Sequence, residues 1–215
     1  MGDRPPPGST AGRGRRESFA ERRERRSAID DPAVVLEAAA RFLEVRSRSV
    51  AEVRRRLTAA GYRVDLVDGA IARMTDLGML DDAAFARAWV ESRDRSRPRG
   101  ERAIRVELGR KGVERALVEQ VLAARRLATE SGVGGDVDAD GRRDPDLAPV
   151  SADRAAAERL IAKHQRSLAR VADPRQRRAR AYALLARNGF DPETCQEVAS
   201  SAAAATDVDA GTESE

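Results

Sequence analysis

The side chains with the greatest capacity for chemistry in this sequence are guanidinium groups, which recognise carboxylates and phosphates rather than make or break bonds. They are densest from Arg93 to Lys111, where eight bases (Arg93, Arg95, Arg97, Arg99, Arg102, Arg105, Arg110 and Lys111) face three acids (Asp94, Glu101 and Glu107). At about 100° per residue, Arg102, Arg105 and Gly109 fall across a helix from Ile104 and Leu108, so the spacing predicts an exposed basic stripe. Arg54 stands at the position equivalent to Arg105 in an earlier unit of the chain, and Arg187 matches Arg110 in a later one. Together these ten cations are the candidate partner-binding surface. A solvated face is the bland alternative, because 38 of the 40 basic residues are arginine, the signature of a biased composition.

Groups suited to catalysis are few. His164 is the sole histidine and lies in the series Ala157, Ile161, His164, Leu168, Val171, which predicts a boundary or hydrogen-bonded core position. No serine, cysteine or acid accompanies it at a recognisable spacing. Asp81 and Asp82 precede a helical run and read as an N-cap and a first-turn charge. Cys195 is the only cysteine, so neither an internal disulfide nor a Cys/His zinc cluster follows, and a buried structural role is expected. Trp89, one turn after Phe85, reads as a core anchor. With no phosphate-cradling loop either, the chain is expected to be neither an enzyme nor the holder of a cofactor or metal.

The elements that must position these residues repeat themselves. A leucine, three residues, a glycine and an apolar residue recur as Leu57–Gly61–Tyr62, Leu108–Gly112–Val113 and Leu185–Gly189–Phe190. Such a string describes a helix ended by a left-handed glycine, with the apolar residue folding back on the last turn. Matching apolar offsets follow: Leu66, Val67, Ala70 and Ile71; Leu117, Val118, Val121 and Leu122; then Thr194, Cys195, Val198 and Ala199. Asp31–Pro32, Asp173–Pro174 and Asp191–Pro192 mark helix starts, as do the capping-box spacings of Ser49 with Glu52 and Asp173 with Gln176. An all-α fold of nine short helices follows, in three tandem three-helix repeats forming an elongated array.

Composition supplies the boundaries. Residues 1–29 hold Pro5 to Pro7 and eight arginines against four acids, and read as a disordered basic arm. Repeats are placed at 30–80, 81–129 and 150–199, with an acidic flexible linker at 130–149 and an acidic disordered tail at 200–215. Short apolar runs and the absence of a leader-like segment predict a cytoplasmic protein with no membrane contact.

The segment LGMLDDAAFARAWVESRDRSRPRGERAIRVELGRKGV resembles the second repeat of the RecX family, regulators of the RecA recombinase. Leu80, Asp81, Asp82, Phe85, Ala86, Trp89, Arg93, Pro98, Gly100, Ile104, Glu107, Leu108, Lys111 and Gly112 carry the likeness, while SRSVAEVRRRLTAAGY and RRARAYALLARNGF fit the flanking repeats. That resemblance implies a protein that binds the RecA nucleoprotein filament and modulates its ATPase, strand-exchange and co-protease activities in homologous recombination, DNA repair and the SOS response. It implies no catalysis and no cofactor, and any DNA contact would be made within the filament and be weak alone. The long linker and the arginine-rich arm depart from the family pattern. A helical DNA-binding or transcriptional module is the alternative, since three-helix units of this size also build helix-turn-helix domains.

Overall fold

Each repeated Leu-x3-Gly-apolar string closes a helix by the same two hydrogen bonds, the first from the N–H of Gly61, Gly112 and Gly189 to the carbonyl of Thr58, Gly109 and Ala186 at 3.0, 2.9 and 3.0 Å. The N–H of Tyr62, Val113 and Phe190 reaches back to the carbonyl of Leu57, Leu108 and Leu185, at 3.3, 3.1 and 3.4 Å. Gly61, Gly112 and Gly189 have φ of 104°, 82° and 82°, the left-handed conformation this closure demands.

The computed structural model describes residues 17–130 and 151–211, with 129, 130 and 204–211 described by backbone alone. Within them are ten helices: α1 (Phe19–Ser27), α2 (Pro32–Leu43), α3 (Val50–Ala60), α4 (Val64–Asp76), α5 (Asp82–Ser96), α6 (Glu101–Lys111), α7 (Arg115–Glu130), α8 (Ala152–Ala169), α9 (Pro174–Arg187) and α10 (Pro192–Gly211). No strand occurs among the described residues. Helices α2–α4, α5–α7 and α8–α10 form three successive repeats, and α3, α6 and α9 are their middle helices.

Every repeat buries its own core. Val35, Val53, Leu57, Val67 and Met74 pack in the first, and Phe85, Ile104, Leu108, Val118 and Leu122 in the second. The third packs Leu160, Leu185, Phe190, Cys195 and Val198. Complete burial of a leucine such as Leu108 contributes about 1.5–3 kcal/mol. Cys195 is buried as its offset predicts, its Sγ 3.7 Å from the Phe190 carbonyl.

Three expectations need correction. The composition places residues 17–29 in a disordered arm, yet Ser18 and Glu21 form a capping box that starts α1. Likewise α10 runs through residues 200–211, the first part of the expected disordered tail. His164 is exposed, because α8 turns Ala156, Ala157, Leu160 and Leu168 inward and leaves His164 beside the exposed Lys163 and Gln165. The expectations for residues 1–16, 131–150 and 212–215 fall outside the described residues. Among those described, no helix is long and apolar enough to cross a membrane and no cluster of His, Cys, Asp and Glu is suited to a metal.

Candidate partner-binding surface

The repeats meet at two joints of one design, and these joints position the basic side chains. In the first, α3 begins where α6 ends. The Ser49 Oγ donates to the Lys111 carbonyl at 2.6 Å while accepting from the Glu52 N–H at 3.1 Å. Asp82, at the start of α5, accepts from the free Val50 N–H at 2.9 Å. In the second joint α6 begins where α9 ends. The Gly100 N–H donates to the Asn188 carbonyl at 3.1 Å, and Asp153, in the first turn of α8, accepts from the Glu101 N–H at 3.1 and 3.2 Å. An acid from the next repeat thus caps the middle helix of the one before. Asp82 therefore does more than the first-turn role expected of it.

Close backbone approach makes both contacts possible. A Cβ on Gly112 would lie 2.3 Å from the Ala51 Cβ, and one on Gly189 would lie 2.5 Å from the Ala103 Cβ. At the free end of α3 the same place is taken by α1, whose Arg23 Cγ would sit 2.6 Å from a Cβ on Gly61.

The second joint also holds Arg125, which has no signal in the local sequence. Its side chain is 5% exposed and bonds Asp94 at 2.8 and 3.0 Å and Asp153 at 2.6 Å. Burial disfavours its charge, but the two carboxylates outweigh this and raise its pKa. Glu101 lies beside this network. Burial and the Asp153 carboxylate push its pKa up against the pull of Arg126, Arg125 and Arg105.

Half of the ten predicted cations are engaged inside the protein. Arg93 donates to Glu107 at 2.6 Å, lies 4.4 Å over the Trp89 ring and is mostly buried. Glu107 also accepts from the Trp89 indole at 2.8 Å and approaches Arg99 at 3.7 Å. Lys111 pairs with Glu52 at 2.8 Å and stands 4.9 Å over the same ring, so Trp89 is a half-buried hub beside its core. Arg105 donates to Glu119 at 2.6 Å, and this hydrogen bond raises the Arg105 pKa and lowers that of Glu119. Arg54 pairs with Asp68. The predicted stripe is consequently neutralised along much of its length.

Arg95, Arg97, Arg102, Arg110 and Arg187 are exposed, with no carboxylate partner among the described residues. The second joint draws several of them together, since Arg99 donates to the Asn188 side chain at 2.7 Å and thereby sets the α5–α6 turn beside Arg187. Sequence reasoning passed over Arg175, Arg178 and Arg180 on α9, which are equally exposed and equally without carboxylate partners among the described residues. Their signal was present, for Pro174–Arg187 contains five arginines and no acid.

Comparison with known proteins finds matches to the family models for the first, second and third three-helix domains of RecX, at residues 36–74, 81–122 and 152–199. A regulatory protein RecX from Mycobacterium avium is 30% identical over 158 residues, covering 74% of this chain and 78% of that protein. One from Mycolicibacterium smegmatis is 41% identical over 83 residues, 39% of this chain and 44% of the relative. One from Mycobacterium ulcerans is 38% identical over 92 residues, 43% and 53% of the two chains, so these two matches span about half of each relative. The crystal structure of RecX from Lactobacillus salivarius superposes with a TM-score of 0.60 at 18% identity, covering 79% of this chain and 94% of that one. At that identity the likeness speaks to the fold.

Proposed function

Because this chain belongs to the RecX family of regulatory proteins, we propose that it binds the RecA nucleoprotein filament and restrains the filament's ATPase, strand-exchange and co-protease activities. In this reading it acts in the cytoplasm, in recombination, DNA repair and the SOS response, without catalysis or a cofactor of its own. The observation that carries the reading is the set of exposed arginines without carboxylate partners among the described residues, with Arg95, Arg97, Arg102 and Arg187 on the elements of the second joint and Arg110 at the far end of α6. A rigid array of this kind presents fixed positive charge to an acidic protein surface or to phosphates within a filament. Cations already bound to carboxylates, such as Arg105, contribute less.

Titration into a RecA ATPase assay on single-stranded DNA tests this. The wild-type protein should inhibit, the paired substitution Arg102→Gln with Arg110→Gln should weaken inhibition markedly, and Arg105→Gln should weaken it less. Inhibition should also fall as salt is raised, because exposed charges are screened within about 10 Å at 0.1 M ionic strength. Unchanged ATPase at saturating protein would refute the proposal. Tight, sequence-dependent binding to bare duplex DNA would favour a transcriptional module instead.

A further inference from the structure

We propose that the outer face of α9 is a binding site for single-stranded nucleic acid, with an unpaired base lying on the ring of Tyr182 and the flanking phosphates held by Arg175 and Arg178. Of the seven aromatic residues in the chain, only Phe19 and Tyr182 are exposed, and Tyr182 shares a surface depression with two arginines. Residues 175, 178 and 182 follow i, i+3, i+7 spacing, which aligns their side chains along one stripe of the helix. With Ala179 and with Gln196 of α10 they line a shallow depression of about 490 Å³.

The charge balance favours an anionic ligand. No carboxylate among the described residues pairs with Arg175 or Arg178, and α9 itself contains no acid. Its one inward arginine, Arg177, is buried and bonds the carbonyls of Val171, Ala172 and Ala203, so it holds the helix in place and is not available to a ligand. Elsewhere, Arg93 and Lys111, over Trp89, are bound to Glu107 and Glu52, while Arg26, Arg48 and Arg56 lie over Tyr62 and Phe42, rings that are half-buried and offer less face to a base. Tyr182 is thus an exposed ring set in a depression beside two arginines that have no carboxylate partner among the described residues.

The aromatic platform distinguishes a single strand from a duplex. Phosphates of either kind satisfy guanidinium groups, but only an unstacked base offers a face to a tyrosine ring. The Gln196 amide, with a donor and an acceptor, can bond the edge of whichever base is stacked, consistent with a site that tolerates sequence. This site engages nucleic acid directly and does not depend on RecA being the partner.

Fluorescence anisotropy with a labelled oligo-dT of about 20 nucleotides and the full-length chain tests the site, with no other protein present. The wild-type chain should bind, and Arg175→Gln with Arg178→Gln should lower affinity about tenfold and reduce the slope of log affinity against log salt by about 1.4, two phosphate contacts at about 0.7 each on a single strand. Tyr182→Ala should cost fivefold or more, while Tyr182→Phe, which keeps the ring, should stay within about twofold of wild type. Arg73→Gln with Arg115→Gln removes the same charge from exposed positions elsewhere and should do little. Absence of binding, equal loss in the α9 and control pairs, or identical affinities for Tyr182→Ala and Tyr182→Phe would overturn the proposal. So would a duplex of equal length binding as tightly and losing as much with Tyr182→Ala.

Discussion

The hydroxyl of Ser49 bonds the carbonyl of Lys111 at 2.6 Å, across 62 residues of sequence, and is wholly buried. The same oxygen accepts from the Glu52 N–H, so one side chain caps the start of α3 and the end of α6 together. Since each repeat keeps a separate apolar core, what fastens one repeat to the next is largely polar. Joints of this type respond to charge, pH and single-atom crowding more sharply than cores do.

Gly112→Val should destabilise the chain by about 2 kcal/mol or more. It sets a β-branched residue at φ 82° and drives a Cβ to 2.3 Å from that of Ala51. Gly109→Ala, less than a turn earlier on the exposed side of α6, meets nothing within 4 Å and should stabilise by about 0.5–1 kcal/mol. Chemical denaturation of both variants checks this, and a neutral Gly112→Val would refute the joint as described.

Arg125→Met should cost about 2–3 kcal/mol and loosen α8 from the second repeat. It strands Asp94 and Asp153, although Asp94 retains Arg159 at 3.7 Å, which moderates the loss. Hydrogen exchange should quicken at the start of α8 and at Glu101 before the core of the first repeat responds. Uniform quickening across all three repeats would count against a local fastening.

Acid should weaken the first joint through Glu52. Burial pushes this carboxyl up, but Lys111, the Ser49 N–H and Arg46 together hold it below the usual carboxylate range. A group whose folded pKa is depressed stabilises the protein above its unfolded value, about 4.3 for glutamate, and loses that contribution as pH falls through the folded value. The melting-temperature gap between wild type and Glu52→Gln should therefore be largest near neutrality, shrink as pH falls below the unfolded value of about 4.3, and close once the folded carboxyl is protonated. A gap independent of pH would exclude the assignment.

Cys195 should resist thiol reagents in the native protein. Burial, with the carboxylates of Asp191 and Asp153, pushes its thiol above the ordinary range, and reaction requires the thiolate. Labelling at about pH 8 should track unfolding of the third repeat, and rapid native labelling would contradict the burial.

What could be read from the sequence was local. The Leu-x3-Gly-apolar strings, the Asp-Pro starts and the Ser49–Glu52 box span two to six residues, so their geometry is set by neighbours. The ion pairs are different. Arg93 and Glu107 are 14 residues apart, as are Arg105 and Glu119, and Lys111 and Glu52 are 59 apart, in a chain with 36 acids to choose from. A density of arginines therefore showed where charge lies but not where it remains free. Arg125 had no spacing signal at all, since its partners come from α5 and α8. The α1 helix was legible in Ser18 and Glu21, but the arginine-rich composition around them outweighed the box. His164 was misplaced because alanines, which periodicity weights weakly, set the buried face of α8.

Both joints set the beginning of a middle helix on the finish of the next one, and at the end of α3 the corresponding place is taken by α1. Such a stack has translational rather than dyad symmetry: it carries an arrow, and its two extremities are chemically unlike. Any partner made of identical subunits in a row would be met heel to toe, in one sense of travel and never in the reverse. The span of contact would be metered by whole repeats, while α1, seated on Gly61, closes the series at its upstream end.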